Sequence, residues 1–468
     1  MQKTFIGTQL RQLRREHGQT QAEMSRQLGV SAAYINLLEK NQRSLSVPVL
    51  MALADQYNVD WRDVVMDKSA NILADLRNAI QDPLFAENPP DIQELRAAID
   101  HAPSLVQNFL KLHQSHRTAM DNMMKIGGER MPQDLLTSSP ETVIHDFFRD
   151  NFNYFDVLER AAEALTAEEP CQPYEMQAAL KQRLHSRHGI AVETLPVEAM
   201  SEALRIYDND RRVIQLSEAL DFQNRTFQLA HVICFVELSD VLNEITSNLS
   251  VITERAISRC QVELANYFAA AVLMPYDAFH AMAEQSGYDI DRMASAFAVS
   301  FEQACQRLTT LQRETKRGVP FFFLRVDKAG NVTKRFNATS FNIAEYGGSC
   351  PVWNLHTAFR TPGVILPQFV ELPDGEKFFT LARTTERPVY SMQTQDRRLA
   401  ISLGCEVQHA TKLIYTSSFQ KPADENFSKI GINCYLCLRH NCSQRAHDPL
   451  FTELTTDTSR RGETRYES

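Results

Sequence analysis

The chain has 468 residues, of which 43% are hydrophobic and 23% are charged, which is an ordinary composition for globular domains. At ~100–200 residues per domain the length predicts two to four domains, and collagen-like, low-complexity and wholly disordered chains are excluded. The apolar run from Tyr267 to Met274 is far shorter than the ~20 residues of a membrane span, and the N-terminus lacks the apolar core of a secretory signal. Nine cysteines without a signal peptide indicate reduced thiols or metal ligands. We therefore expect a cytoplasmic protein that contacts no membrane.

The charge is unevenly distributed along the chain. The formal net charge is −9, yet residues 1–44 hold seven cationic side chains against three anionic ones. They are Lys3, Arg11, Arg14, Arg15, Arg26, Lys40 and Arg43 against Glu16, Glu23 and Glu39. A basic segment on an acidic chain suits polyanion binding by one small module. Charge alone is equally compatible with a chance imbalance, so the residue pattern must decide.

The first seventy residues predict two short helices joined by a tight turn. The run Thr20-Gln21-Ala22-Glu23 is a capping box, so a helix begins near Gln21. Gly29 favours the left-handed conformation that ends a short helix. Ser31 then caps the next helix, about Ala32 to Glu39.

The crossing of these two helices has specific requirements. A close crossing needs a small residue in the first helix, and Ser25 provides it. Val30, Ile35 and Leu38 provide the apolar contacts that fix the second helix. This pattern favours a DNA-binding helix-turn-helix over a purely structural helical hairpin.

The segment Gly18–Arg43 and the helical run after it resemble the Cro/cI-like (Xre) DNA-binding domain. The resemblance implies a five-helix domain over residues 1–68, double-stranded DNA as the partner, and a second motif helix in the major groove. The residues that would face the bases are Ser31, Ala32, Ala33, Tyr34 and Asn36, and those that would contact the DNA backbone are Gln21, Asn41, Gln42 and Arg43. Asn and Gln can read adenine edges, and Ala can pack on a thymine methyl group.

Residues 69–130 predict a helical connector. Prolines interrupt residues 80–103. After Pro103, positions 105, 109, 112, 116, 119, 123 and 126 follow alternating steps of four and three, and all but His116 are apolar or small. That pattern is typical of a coiled-coil seam. A single amphipathic helix packed on its own chain fits equally well, but paired half-sites on DNA favour a homodimer.

The middle region, residues 131–308, predicts an α+β domain similar to zinc peptidases. Those enzymes need His-Glu-x-x-His on a helix, with two metal ligands and a general base. In the helical run Phe227–Glu237, His231 remains, whereas Val232 and Phe235 stand at the base and second-ligand positions. Downstream, Glu263 and the residues after it resemble the third-ligand helix of the ImmA/IrrE-type metallopeptidases. A catalytic zinc site needs three protein ligands and a water, so we predict no enzyme activity, although a small molecule could enter the cleft.

Residues 309–452 predict an α+β domain with an antiparallel sheet. One hairpin is expected from Val319–Val326 to Val332–Phe336, and another around Pro373-Asp374-Gly375. Together with the mainly helical N-terminal two thirds, this defines the expected multidomain fold. Residues 453–468 are polar and charged and are expected to be unpacked.

A cysteine cluster lies near the end of the chain. Cys434 and Cys437 are spaced to chelate one metal ion, and Cys442 is a candidate third ligand. A fourth ligand would come from Cys350, Cys405, His440 or His447. A structural zinc or an iron–sulfur cluster is one interpretation, and free thiols or a redox pair are the other.

The whole arrangement resembles the short-chain fatty acyl-CoA-responsive transcriptional regulators. The strings that carry the resemblance are Tyr34–Arg43, Cys350–His356, Leu403–Glu406 and Ile430–Cys437. The resemblance implies a regulator of short-chain carboxylic-acid metabolism that senses an acyl-CoA, whose phosphates would meet basic residues such as Arg325, Arg360, Arg383, Arg397 or Arg398. The alternatives are a metal-dependent peptidase fused to a DNA-binding domain and an antitoxin-like, partner-binding repressor.

Overall fold

The computed structural model describes residues 7–40, 43, 46–57, 68–80, 85, 89–126, 140–200, 203–247, 249, 254–341, 349–386, 397–417, 426–440 and 442–449. The chain divides into two compact units, Met1–Thr137 and Ser138–Ser468. We call the second unit the body. The predicted tail at 453–468 lies outside the described residues.

The first unit is helical. Its described helices are α1 (Gly7–Glu16), α2 (Gln21–Gln27), α3 (Ala32–Glu39), α4 (Val47–Tyr57), α5 (Lys68–Ala79), α6 (Ile92–His101) and α7 (Pro103–Ile126). We call α1–α4 the head. The predicted start of α2 and both predicted ends of α3 are confirmed. The fifth helix implied for this domain would fall in residues 58–67, outside the described residues.

Local chemistry explains where the head helices begin and end. The backbone N–H of Thr20 donates to the Glu23 carboxylate at 2.7 Å, and the Glu23 N–H donates to the Thr20 hydroxyl at 3.3 Å. This reciprocal pair satisfies two N–H groups at the start of α2. Gly29 has a φ of +66°, which a residue with a Cβ rarely adopts. The helices then enclose a small core of Leu10, Met24, Leu28, Ile35, Leu38, Val49 and Leu53.

The connector has its own small core. Leu76, Leu95 and Val106 are buried together, and Phe109 packs against them. Of the predicted seam, Phe109 thus faces its own chain, whereas the exposed fractions of Leu105 and Leu112 are 70% and 69%. The side chains at 119, 123 and 126 lie outside the described part of the chain.

The helical part of the body also contains a small sheet. Its helices are α8 (Pro140–Asp150), α9 (Asp156–Glu168), α10 (Met176–His188), α11 (Val197–Met200), α12 (Phe222–Glu237), α13 (Ser239–Thr246), α14 (Glu254–Leu273), α15 (Tyr276–Ser286), α16 (Ile290–Ala296) and α17 (Phe301–Leu308). Strands β1 (Ala191–Leu195), β2 (Arg205–Asp208) and β3 (Val213–Ser217) form a sheet in the order β1-β3-β2. Strand β1 is parallel to β3, and β2 is antiparallel to it.

The C-terminal part of the body is a larger sheet. Its strands are β4 (Phe322–Val326), β5 (Val332–Asn337), β6 (Leu366–Glu371), β7 (Lys377–Thr385), β8 (Leu399–Glu406) and β9 (Ser428–Lys429), in the order β5-β4-β8-β7-β6-β9. The antiparallel pairs β4/β5 and β6/β7 confirm both predicted hairpins. A short helix, α18 (Asn354–Thr357), packs on this sheet.

The body's main core joins the helices to one face of the large sheet. It extends from Val143 to Phe427 and includes alternate strand residues such as Phe323 and Cys405. The other face of the sheet buries a second cluster, which includes Phe322 and Cys350. This alternation follows the two-residue period of a strand. The expected fold, mainly helical at first and antiparallel sheet at the end, is confirmed.

A buried ion pair fixes three helices of the body. Arg307 on α17 donates to both carboxylate oxygens of Glu159 on α9, at 2.6 and 2.9 Å. The hydroxyl of Tyr267 on α14 donates to the same carboxylate at 2.6 Å. Both charged side chains are at most 1% exposed, so removing either one would leave the other charge buried without an ionic partner.

Candidate functional site

The first turn of α3 faces solvent. Ser31 precedes the helix, and its hydroxyl accepts a hydrogen bond from the Tyr34 N–H at 3.1 Å. Ser31 and the next two residues, Ala32 and Ala33, are exposed, and Asn36 is half-buried. The opposite side of the helix, Ile35, Leu38 and Glu39, is buried in the head. The predicted base-facing residues therefore lie where a partner can reach them.

A carboxylate inside the head holds the motif helices together. Glu39 on α3 accepts hydrogen bonds from Arg14 at 2.6 and 3.2 Å and from the side-chain amide of Gln21 at 2.8 Å. Burial alone would raise the pKa of the Glu39 carboxyl, but Arg14, Gln21 and the neighbouring Arg11 lower it below its ordinary value. Glu39 thus stays ionised and links α1, α2 and α3.

The structure describes the side chains of Gln21 and Arg43, two of the residues predicted to contact the DNA backbone. The Gln21 amide nitrogen is engaged by Glu39, and its contact with phosphate stays a prediction. Arg43 is exposed, and its guanidinium carbon lies 6.0 Å from the centre of the Tyr34 ring. It therefore places a cation beside the exposed side of α3. Asn41 and Gln42 fall outside the described residues.

The body contains the expected peptidase-like helix, α12, with His231 inside it. His231 is 4% exposed, and its Nδ1 lies 2.6 Å from a guanidinium nitrogen of Arg205 on β2. Burial, with Arg205 as the next cause, lowers the pKa of His231 to about 3. The imidazole is therefore neutral at physiological pH, and its Nδ1 accepts the hydrogen bond from Arg205.

The second position from the peptidase pattern also has a cationic neighbour. Glu263 on α14 lies 3.4 Å from the ammonium group of Lys334 on β5. Burial would raise the pKa of the Glu263 carboxyl, but Lys334 and the Asn266 amide lower it. Both positions thus contact protein cations, Arg205 and Lys334, which the sequence reasoning missed. Each cation comes from a strand far along the chain from its partner.

The cysteines of the C-terminal region are partly brought together. Burial raises the pKa of the Cys350 thiol, and the neighbouring Cys437 and Cys434 thiols raise it to a smaller extent. Cys350 therefore lies near both of these cysteines. Cys405 packs in the core on the opposite face of the sheet. Cys350 is thus the better placed fourth ligand. Among the described residues no three His, Cys, Asp or Glu side chains form a group ready to hold a metal ion.

The close packing around Cys437 depends on a glycine. A Cβ on Gly431 would stand 2.7 Å from the Cys437 sulfur, which is closer than atoms can approach. The half-buried Cys434 accepts a hydrogen bond from the Ala446 N–H at 3.5 Å, and Cys442 is also half-buried. The three cysteines therefore lie in one short, tightly folded segment.

Most of the arginines considered for coenzyme A phosphates have carboxylate partners. Arg325 contacts Glu302 at 2.5 Å, and Arg398 contacts Glu386 at 3.2 Å. Arg383 pairs with Asp291 and lies over the Phe301 ring. The two remaining candidates, Arg360 and Arg397, are exposed.

Family models match three consecutive parts of the chain. Residues 10–64 match "Helix-turn-helix", residues 185–309 match "IrrE N-terminal-like domain", and residues 310–466 match "Short-chain fatty acyl coenzyme A regulator, C-terminal". Helices α2 and α3 form a helix pair on a basic head, and the first turn of α3 is exposed. Together with these three family matches, this defines a DNA-binding transcriptional regulator. No described helix has the length and apolarity to cross a membrane.

Curated relatives match over almost the whole chain. A propionyl-CoA carboxylase regulator of Cereibacter sphaeroides is 36% identical over 100% of this chain and 99% of its own length. The regulators PrpR and RamB of Mycobacterium tuberculosis are 34% and 33% identical, covering 97% and 98% of this chain and 94% and 98% of their own lengths. A solved Mycobacterium tuberculosis transcriptional regulator is 36% identical, with a TM-score of 0.67 over 71% of this chain and 100% of its own. The chain belongs to this family of short-chain fatty acyl coenzyme A regulators.

Proposed function

We propose that this regulator controls genes of short-chain carboxylic-acid metabolism in the cytoplasm and responds to an acyl-CoA. The observation that supports DNA binding is the solvent-exposed first turn of α3 on the basic head. The C-terminal match to a short-chain fatty acyl coenzyme A regulator and the named propionyl-CoA carboxylase regulator support the effector half. The effector would act by favouring one of two arrangements of the paired heads.

A gel shift on the DNA upstream of the protein's own gene tests the effector. Propionyl-CoA and acetyl-CoA are compared with coenzyme A alone, which controls for the phosphates. We expect one of the two esters to change the affinity for specific DNA while coenzyme A alone changes it less. An affinity that is the same under all conditions would contradict the effector and leave DNA binding standing.

Substitutions in α3 test the recognition residues. Asn36→Ala and Tyr34→Ala should each weaken specific binding by ~1–3 kcal/mol per lost base contact. Nonspecific binding should persist, because phosphate contacts provide it. Met51→Ala is the matched control, since Met51 is 63% exposed on α4 in the same head. Unchanged specific affinity in both α3 variants would show that other residues read the bases.

We propose that the active form is a homodimer joined through α7. Leu105 and Leu112 are seven residues apart on one face of α7, and both are exposed, as a dimer seam requires. Leu105→Glu with Leu112→Glu should convert a dimer to a monomer in light scattering. Ile92→Glu is the control, because Ile92 is also an exposed apolar side chain but lies on α6. A mass equal to the monomer for the unmodified chain would contradict the proposal.

We further propose that Cys434, Cys437 and Cys442 hold a zinc ion or an iron–sulfur cluster, with Cys350 as the fourth ligand. The proximity of Cys350 to Cys434 and Cys437 supports this set. Thiolates suit both groups. Metal analysis of the purified protein should find about one zinc, or the iron and sulfide of one cluster, per chain, and loss in Cys434→Ser and Cys437→Ser. Cys405→Ser should keep the metal, and metal-free wild-type protein would indicate free thiols.

A further inference from the structure

A buried arginine lies beside the cysteine cluster. Arg445 is 5% exposed, and its guanidinium donates to the carbonyl oxygens of Cys434 and Cys437, each at 3.3 Å, and to that of Arg439. Among the described residues no Asp or Glu side chain forms an ion pair with Arg445, and its Nε has no hydrogen-bond partner. A buried charge without a counter-charge is costly, so this cation calls for a negative group nearby.

The other charged side chains of this segment do not provide that group. Arg439 has its own partner, because its guanidinium lies 3.6 Å from the Glu371 carboxylate. Asp448 is exposed and forms no ion pair with Arg445. The cysteine sulfurs are the remaining groups of the segment that can become negative.

Two of these sulfurs accept hydrogen bonds, as metal-bound thiolates do. The Ala446 N–H donates to the Cys434 sulfur at 3.5 Å, and the N–H groups of Gly431 and Val352 hydrogen-bond to Cys350. Four thiolates carry more negative charge than one zinc ion or one iron–sulfur cluster neutralises, so a metal-loaded site of this kind is anionic. The residues present therefore fit a thiolate-bound metal group, whose negative charge would match the buried cation.

We propose that Arg445 is the counter-charge and positioning residue of this metal group. The inference rests on the proposed metal site of the four cysteines. Because the guanidinium donates to the carbonyls of two ligand residues, Cys434 and Cys437, it also holds the backbone that presents them. In the metal-free protein the same cation is buried without a counter-charge. Arg445 thus couples metal loading to the stability of the C-terminal segment.

The metal affinity of the full-length protein, measured by competition with a chelator, tests the role of the charge. Arg445→Gln removes the charge and keeps an amide donor, whereas Arg445→Lys keeps the charge and loses the planar fork. We expect Arg445→Gln to weaken metal binding at least tenfold, since residues that support metal ligands typically contribute about 10–100-fold. Arg445→Lys should restore most of the affinity. Arg439→Gln is the matched control, because that cation is already paired with Glu371, and its affinity should change less.

An iron–sulfur cluster has a second readout, its reduction potential. Reduction adds negative charge to the cluster, which a nearby cation stabilises. Arg445→Gln should therefore make the potential more negative than in the wild type, and Arg445→Lys should move it back. A purely structural contact would not separate the two variants in this way.

Urea unfolding of the metal-loaded and the chelator-treated protein separates charge compensation from structural support. In the loaded protein Arg445→Gln should lower the unfolding midpoint. In the chelator-treated protein it should lower the midpoint less or raise it, because the substitution removes a buried cation that lacks a counter-charge. An equal loss in both forms would reduce Arg445 to a structural contact and overturn the inference.

The outcomes distinguish this inference from the metal site itself. A metal-free wild type with free thiols would contradict both. A metal-loaded wild type whose affinity and potential are retained in folded Arg445→Gln would contradict the role of Arg445 alone. If Arg445→Gln does not fold, Arg445→Lys keeps the inference testable, because a tenfold loss of affinity in the folded lysine variant would contradict a role for the charge.

Discussion

Helix α3 of the head and helix α12 of the body both carry a recognisable functional pattern, yet they present it differently. The first turn of α3 is exposed, and its buried side is apolar apart from Glu39. On α12, His231 and Val232 are both buried, and the imidazole is bound to Arg205 inside the protein. A helix that reads DNA must keep its polar turn outside. A helix that lacks the other metal ligands can become part of the core.

The charged groups of the two regions follow the same contrast. In the head, the Glu39 carboxylate accepts hydrogen bonds from side chains on α1 and α2. It therefore takes no part in the exposed first turn of α3, which a partner can reach. In the body, Arg205 and Lys334 contact the two positions that remain from the peptidase pattern. In the head, the buried Glu39 carboxylate stabilises the helices that present the exposed turn of α3. In the body, Arg205 and Lys334 instead provide partners for the polar side chains of His231 and Glu263.

The largest expected effect is a loss of stability of the body that leaves the head folded. Arg307→Met should lower the free energy of unfolding of the body by roughly 3–5 kcal/mol, because it leaves the Glu159 carboxylate buried without its partner. Thermal unfolding measures this loss. Arg160→Met is the matched control, since Arg160 forms an exposed pair with Asp156, and such pairs contribute ~0.3–0.5 kcal/mol.

The same variant tests the division into two units. At temperatures where the Arg307→Met body remains folded, nonspecific DNA affinity should equal that of the wild type. A parallel loss of stability and of nonspecific DNA binding would show that the head depends on the body.

A smaller loss is expected from the interior charge of the head. Glu39→Gln should destabilise the head by roughly 1.5–3 kcal/mol, since hydrogen bonds to a charged group contribute about this much. Arg14 would keep its charge without its carboxylate partner. Hydrogen exchange of the α2 and α3 amides measures the effect, and Glu23→Gln, at the exposed capping box, is the comparison. Equal protection in Glu39→Gln and wild type would contradict the structural role of Glu39.

The pH dependence of the body's stability tests whether His231 is held neutral in the core. Its pKa is about 3 in the folded protein against an ordinary 6.5, so the unfolded chain binds more protons between these values. Stability from this group is complete above pH 6.5 and falls as the pH decreases through that window, by about 2 kcal/mol at pH 5. Urea unfolding of the body should show a loss between pH 7 and pH 5 that is smaller in His231→Gln. Identical pH profiles would show that the imidazole is not held neutral.

Local sequence chemistry predicted the head better than the body. The ends of α3 follow from Ser31 and the residues around it, because caps act over three or four positions. The contacts of His231 with Arg205 and of Glu263 with Lys334 join distant segments, and no local pattern encodes them. The sequence could not choose between Cys350 and Cys405, whereas the sheet places them on opposite faces.

The smallest expected effect concerns the cap that orients α3. Ser31→Ala removes the hydroxyl that accepts from the Tyr34 N–H, which should cost the head about 1 kcal/mol. Ser31→Asn keeps a capping oxygen but changes the group offered to the bases. If Ser31 reads DNA, Ser31→Asn should retain stability and lose specific affinity in a gel shift, whereas Ser31→Ala should lose both. Full specific affinity in Ser31→Asn would restrict Ser31 to capping and assign base contact to the following residues of α3.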